Sequence, residues 1–359
     1  MRVAIVGHFG GHEQFVDGQT VKTHTLYHAL KKNTSWEILK VDTYYKKKFP
    51  VLLLLKSIYA FITCRHIIVL LSDKGRRFYF PILVFFKRYF RKHIWHDVVG
   101  GDLAQDLRHE QYAQKALPMF DANWVETESM KNDLEALGLR NCMVLPNFKN
   151  IKQLKKNQVK ETFDEPLPVC TFSRVMLEKG IGIAIEAIEK YNERVGSKRF
   201  VLDIYGQVDE QFKPTFHELL NQSSSTEYCG IVEYDKSVAL LKDYYAMLFP
   251  TYWYGEGMPG TIVDSFSAAV PVIATDFAHN ADFVFPYKTG LLISSAESDL
   301  LMDALAFIDT HREQWIEMRY QCLEAVAKWD SALCCKQIKT MIEGSEKLTN
   351  ENCADASRV

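Results

Sequence analysis

Residues Phe249–Asp276 read FPTYWYGEGMPGTIVDSFSAAVPVIATD. An apolar run from Tyr244 to Phe249 stops at Pro250 and Thr251, the pattern of a buried strand running out into a loop. A turn follows at Gly255–Gly260, then helical spacing from Thr261 to Ala269 and a second apolar strand over Val270–Ala274. Strand, loop, helix and strand in this order build a parallel α/β sheet, where ligands bind in loops leaving the carboxyl ends of strands. The helix start offers unbonded amides and a partial positive charge, which suit a phosphate.

Two carboxylates frame the turn, Glu256 before it and Asp264 within the helix. Such a pair can accept hydrogen bonds from the hydroxyls of two sugars, one on each side of a diphosphate. From spacing alone, a loop charge and a solvated helix residue serve equally well. Further upstream, FSRVMLEKGIGIAIEA carries Arg174 and Lys179 between a strand and a helix. Two cations beside a helix start form a diphosphate clamp, with Arg binding oxygens bidentately and Lys acting as a point charge. The spacing by itself is commonplace and is shared by surface pairs.

Working outward, the same alternation fills the chain. Strands are expected at Arg2–Gly7, Trp36–Asp42, His66–Ser72, Ile94–Val99, Asp121–Glu126 and Cys142–Leu145. After a polar stretch broken by Pro166 and Pro168, a second series runs through Val169–Ser173, Phe200–Tyr205, Glu227–Cys229, Tyr244–Phe249, Val270–Ala274 and Gly290–Ile293. Helical patterns lie between them, among them Pro50–Thr63, Phe78–Phe90 and Gly180–Val195. The fold class is therefore α/β, with two Rossmann-like, doubly wound parallel-sheet domains facing a central cleft. The boundaries read as 1–150, a linker over 151–168, a second domain over 169–328, and a last helix over 329–359 that can return to the first domain. A polar tail is expected after Glu343.

The stretch around Glu256 resembles the E-x7-E segment of the retaining family 4 glycosyltransferases, usually written EG-[FM]-P-x4-EA-x-A-x-G-x-PVIA. Glu256, Gly257, Met258 and Pro259 match, Asp264 stands where the second Glu belongs, and Pro271–Ala274 complete it. Arg174 and Lys179, followed by Gly180, match the family's R-x4-K-G. Gly10 and Gly11, after the first strand, match its donor-phosphate loop, and GQTVKT (Gly18–Thr23) resembles members from capsule and exopolysaccharide pathways.

The resemblance implies a GT-B fold and transfer of a glycosyl group from a nucleotide diphosphate sugar to an acceptor hydroxyl, with retention of configuration. Arg174 and Lys179 would stabilise the leaving diphosphate, Glu256 the sugar hydroxyls and Asp264 the ribose, one methylene shorter than usual. Gly257, Met258, Pro259, Gly260 and Thr261, with Gly10 and Gly11, would cradle sugar and phosphates, while Gly206 and Ile231 line the base pocket. Where many relatives carry a His after the fourth strand this chain reads HDVVGGD. His96 is then a packing residue and Asp102 an acceptor contact. No metal or other cofactor is expected.

Composition narrows the partners. Residues 1–95 hold 17 Lys and Arg against 5 Asp and Glu, while the rest hold 26 against 40. The first third thus expects an anionic partner. The segment Arg76–Trp95, RRFYFPILVFFKRYFRKHIW, mixes six bases with aromatics and suits an anionic membrane surface. The apolar run around Leu52–Leu55 is interrupted by Lys56 and Arg65 and falls short of a span. Met1 and Arg2 lead straight into a strand, so no export leader is read. The eight Cys form no CxxC pair, and no nucleic-acid motif is present. The expected location is cytoplasmic, at the inner face of the cytoplasmic membrane, with a saccharide or polyprenyl-diphosphate-linked acceptor. A sugar-nucleotide epimerase and a non-catalytic nucleotide-sugar-binding scaffold are the competing readings.

Overall fold

The computed structural model describes residues 1–13, 18–149 and 152–356; residues 14–17 of the glycine-rich loop and the expected boundary at 150–151 lie outside the described residues. Twelve strands follow one another as β1 (Arg2–Gly7), β2 (Glu37–Asp42), β3 (His66–Leu70), β4 (His93–Asp97), β5 (Ala122–Val125), β6 (Cys142–Val144), β7 (Leu167–Phe172), β8 (Phe200–Tyr205), β9 (Thr226–Gly230), β10 (Ala246–Phe249), β11 (Val272–Thr275) and β12 (Gly290–Ile293). They form two six-stranded parallel sheets, ordered β2-β1-β3-β4-β5-β6 and β12-β11-β10-β7-β8-β9. Both are covered by helices, so most strands bury both faces and read as nearly unbroken apolar runs.

The chain divides into one unit of residues 1–150 and 329–359 and another of 151–328. Segment 152–166 lies on the second unit: the Leu154 amide donates to Ser267 O at 2.9 Å and Gln153 Nε2 to Leu323 O at 2.6 Å. Pro168, expected to end the linker, already belongs to β7, near its start, and its carbonyl accepts from the Tyr245 amide at 2.7 Å. At the other end, the polar tail expected after Glu343 is the continuation of a helix, Ser331–Ala356.

In the first unit, alternate residues of β1 point to opposite faces. Val3 and Ile5 pack among Leu26, Leu30 and Trp124 from within 1–150 and Ile338 and Ile342 from the last helix. Ala4 and Val6 pack on the other side with Phe61, Phe80 and Leu83, from helices Pro50–Thr63 and Asp73–Phe90. The returning helix thus completes one of the two layers. This is the return to the first domain that the sequence allowed, carried by buried Cys334, Cys335, Ile338 and Ile342 with Met341 packed against them.

Arg76–Trp95 is not one amphipathic helix. The helix ends at Phe90, Arg91 adopts φ 49°, and β4 begins at His93. Arg76 is buried, with Nη2 2.5 Å from Asp106 and 3.4 Å from Asp102. Burial opposes its charge, but the two carboxylates outweigh burial and raise its pKa. Lys87 pairs with Asp121 at 2.5 Å, and Lys92 donates to the Ile62 and Cys64 carbonyls at 2.7 and 3.0 Å. Arg77 pairs with Glu110 at 2.5 Å, so four of the six bases expected to face lipid are held by the fold.

His96, in β4, is fully buried between the rings of Phe80 and Phe120. Asn123 Nδ2 donates to the Leu117 carbonyl, so Asn123 Oδ1 accepts from His96 Nδ1 at 3.1 Å, and Nε2 has no hydrogen-bond partner among the described residues. Burial above all, with the nearby Arg76 charge, pushes its pKa down to about 3. An unfolded chain takes up this proton near pH 6.5, whereas the folded one does so only near pH 3. The resulting stability is full above pH 6.5 and lost as pH falls toward 3. Lowering the pH from 7 to 5 is expected to cost about 2 kcal/mol through this residue. In His96→Gln, the difference between unfolding free energies at pH 7 and pH 5, from denaturant titration, should shrink by that amount; an unchanged difference would show that His96 does not set it.

Candidate active site

In the second sheet the strand order reverses between β7 and β10, the switch point outside which α/β sheets bind ligands. Three of the four charged candidates from the motifs, Arg174, Lys179 and Glu256, sit in the two loops that leave this point. Lys179 Nζ donates to Glu256 Oε2, joining the β7 loop to the β10 loop across 77 residues. Both side chains are buried, and Thr251 Oγ1 lies 3.3 Å from the same carboxylate oxygen. Lys179 Nζ also stands 5.3 Å from the centre of the Phe249 ring, whose face favours a cation. Arg174, by contrast, is exposed and makes no ion pair among the described residues. One cation is paired within the protein, and the other is unpaired among the described residues.

Gly180 explains why the loops meet. Its φ of 69° is left-handed, and a Cβ there would stand 2.1 Å from the Pro250 carbonyl. The Thr251 hydroxyl and the Tyr252 amide donate to the Glu178 carbonyl at 3.2 and 2.8 Å, stitching the same pair of loops. The helix Gly260–Ser267 then starts behind Pro259, with no side chain capping its first amides. Thr261 Oγ1 donates to the Phe172 carbonyl, which anchors this helix start to the end of β7. Gly257, Met258 and Pro259 are buried beneath it.

Asp264, on that helix, is 3% exposed and accepts from Ser237 Oγ at 3.2 Å. The shorter acid sits back among packed side chains. Gly206 follows β8 with φ 141°, and a Cβ there would stand 1.7 Å from Ser173 O, just before Arg174. Ile231 follows β9 and is exposed. Both therefore lie at carboxyl ends of strands on one side of β7, Gly206 at its neighbour β8 and Ile231 at the edge strand β9.

The first-unit candidates are placed differently. Gly11 donates its amide to Asp42 Oδ2 at 2.9 Å, and the Phe9 and Tyr44 amides share Oδ1 of that side chain. Gly11 thus closes the loop around Asp42, and its N–H is not presented to a phosphate. Gly10, with φ 77°, accepts from the Glu13 amide. Asp102 faces Arg76 and keeps 42% of its side chain exposed.

A cluster that sequence reasoning did not single out lies at the ends of β4 and β5. Lys22, inside GQTVKT, places Nζ 2.8 Å from Asp97 Oδ1, 2.7 Å from Glu126 Oε1 and 2.5 Å from the Val98 carbonyl. All three charged groups are buried. Burial disfavours the charge of Lys22, but Asp97 and Glu126 outweigh it and raise its pKa. The available signal was the pair of acids that end two apolar strands, Asp97 and Glu126.

The structure is similar over 96% of this chain to HepE of Anabaena, in complex with UDP and glucose (all of that chain, 12% identity, TM-score 0.72). It is likewise similar to sucrose-phosphate synthase from Thermosynechococcus elongatus (97% of this chain, 99% of that one, 14% identity, TM-score 0.74). The lipopolysaccharide outer core galactosyltransferase WaaB matches over 96% and 100% of the two chains (15% identity, TM-score 0.64). At these identities the likeness establishes the fold, GT-B. Among curated proteins, none matches the sequence. Residues 152–329, which hold both loops, match the family described as glycosyl transferases group 1. With the motif, the switch-point loops and the fold in agreement, the chain belongs to the group 1 glycosyl transferases, which transfer sugar from nucleotide-sugar donors.

Proposed function

We propose that the second unit binds a nucleoside diphosphate sugar across the ends of β7 and β10 and transfers its sugar, with retention and without a metal, to a lipid-linked saccharide. The observation that carries this is the Lys179–Glu256 pair, buried at the switch point with exposed Arg174 and an uncapped helix start beside it. In this reading Arg174 and Lys179 take up the charge that develops on the departing diphosphate. The amides of Gly260 and Thr261 hold its oxygens. Glu256 accepts from hydroxyls of the donor sugar, and Asp264, steadied by Ser237, accepts from the ribose.

The bond from the anomeric carbon to the diphosphate breaks as the acceptor oxygen bonds to that carbon. The acceptor proton ends on the diphosphate. Attack from the face the diphosphate leaves retains configuration. Fixed cations do in this site what a bound metal would otherwise do, namely neutralise the leaving group. That HepE is described with UDP and glucose, and that WaaB is named a lipopolysaccharide galactosyltransferase, supports a uridine diphosphate donor and a role in surface polysaccharide synthesis.

The test is a thermal-shift screen of nucleoside diphosphates and nucleotide sugars in the presence of a chelator. At 100 times its dissociation constant the right ligand stabilises the protein by about 2.7 kcal/mol. One base should stand out, and its shift should vanish in Arg174→Ala. No shift with any nucleotide would overturn the donor site. Turnover with the identified donor, read by the anomeric configuration of the product, tests retention.

A further inference from the structure

We propose that the outer face of helices Pro50–Thr63 and Asp73–Phe90 is a docking surface for an anionic lipid bilayer. The two helices lie side by side on one face of the first sheet. Ser57 Oγ is 3.0 Å from Tyr79 Oη, and the rings of Phe61 and Phe86 are 5.3 Å apart. Their inward residues are fully used in the core. Many of their outward residues are large and apolar, where a solvated layer would be polar.

On the first helix Val51, Leu55, Tyr59 and Ile62 recur at helical spacing, and on the second Phe78, Phe85 and Tyr89 do the same. These side chains are exposed by amounts from 50% at Phe85 to 70% at Val51. Apolar stripes facing solvent on two neighbouring helices are of the kind that marks an interaction surface.

The surrounding charge selects the occupant. Residues 43–96 hold twelve Lys and Arg and one acid, Asp73, which is itself paired with Arg77. Lys56, Arg65, Arg88 and Arg91 are exposed and meet no carboxylate among the described residues. Lys56 lies one turn from Leu52 and Tyr59, and Arg88 one turn from Phe85, so bases border both stripes. Aromatic and aliphatic residues flanked by unpaired bases fit the headgroup region of an anionic leaflet, with the helices lying in its plane. No helix among the described residues is long and apolar enough to cross a membrane. The inference stands apart from the donor site, since none of these residues belongs to the second unit.

The experiment is flotation of the full chain with vesicles of phosphatidylcholine alone or mixed with phosphatidylglycerol. The native chain should float with the mixed vesicles and at least about tenfold less with the neutral ones, a difference that fades in high salt. Leu55→Asn/Phe85→Asn and Arg88→Gln/Arg91→Gln should each weaken binding by about tenfold. Their melting temperatures and nucleotide responses should match the native chain, since every changed side chain is exposed. Absence of flotation overturns the proposal, as does flotation that neither variant reduces. So does a native chain that self-associates in solution, becomes monomeric in Leu55→Asn/Phe85→Asn and ignores vesicles; the face would then be a protein interface.

Discussion

Lys179→Ala is expected to lower turnover by about 10²- to 10³-fold and, separately, to cost about 3 kcal/mol of folding stability. The two losses have different origins. Turnover falls because a fixed positive charge no longer meets the leaving diphosphate. Stability falls because Glu256 stays buried, with Thr251 at 3.3 Å its remaining hydrogen-bond partner among the described residues. Arg174→Ala separates them. Its side chain is exposed and unpaired among the described residues, so removing it should cost a similar factor in turnover and under about 0.5 kcal/mol in stability. The double variant Lys179→Ala/Glu256→Gln should recover most of the stability and none of the activity. Steady-state turnover and denaturant unfolding, measured on the three variants, check this. Unchanged turnover in both single variants would remove the clamp from the mechanism.

Gly180→Ala is expected to destabilise the protein by about 3 kcal/mol and to abolish most nucleotide binding, although the change adds one methyl group and touches no charge. Alanine at φ 69° is strained, and its Cβ would collide with the Pro250 carbonyl unless the β7 and β10 loops move apart. That separation breaks the geometry by which Lys179 reaches Glu256. The comparison variant is Gly196→Ala, where φ is 67° and a Cβ meets nothing within 4 Å. It carries the same backbone strain without the collision and should cost only about 1 kcal/mol, with nucleotide binding intact. Equal effects at the two glycines would mean that backbone strain, and not the joining of the loops, sets the cost.

The sequence by itself determined the twelve strands and the family. Strands of a parallel sheet are buried on both faces, so each is a short apolar run whose signal is local and needs no partner to be seen. Val272–Thr275, expected as Val270–Ala274, and Ala246–Phe249, expected as Tyr244–Phe249, show that only the ends shift. The Arg174, Lys179 and Glu256 motif was legible only through its resemblance to the family's segments, because its spacing alone is shared by surface pairs.

What the tertiary structure decided is which charges are spent. Arg76, Lys87 and Lys92 looked equivalent to Arg88 and Arg91 in the sequence, yet packing against Asp106, Asp121 and the Ile62 carbonyl holds the first three in the fold. Gly11 looked like a phosphate ligand until Asp42, 31 residues on, took its amide. Lys22 gave no sign until β4 and β5 brought Asp97 and Glu126 to it. An apolar run declares its own burial, whereas the role of a charge depends on a partner whose distance along the chain says nothing of its distance in space.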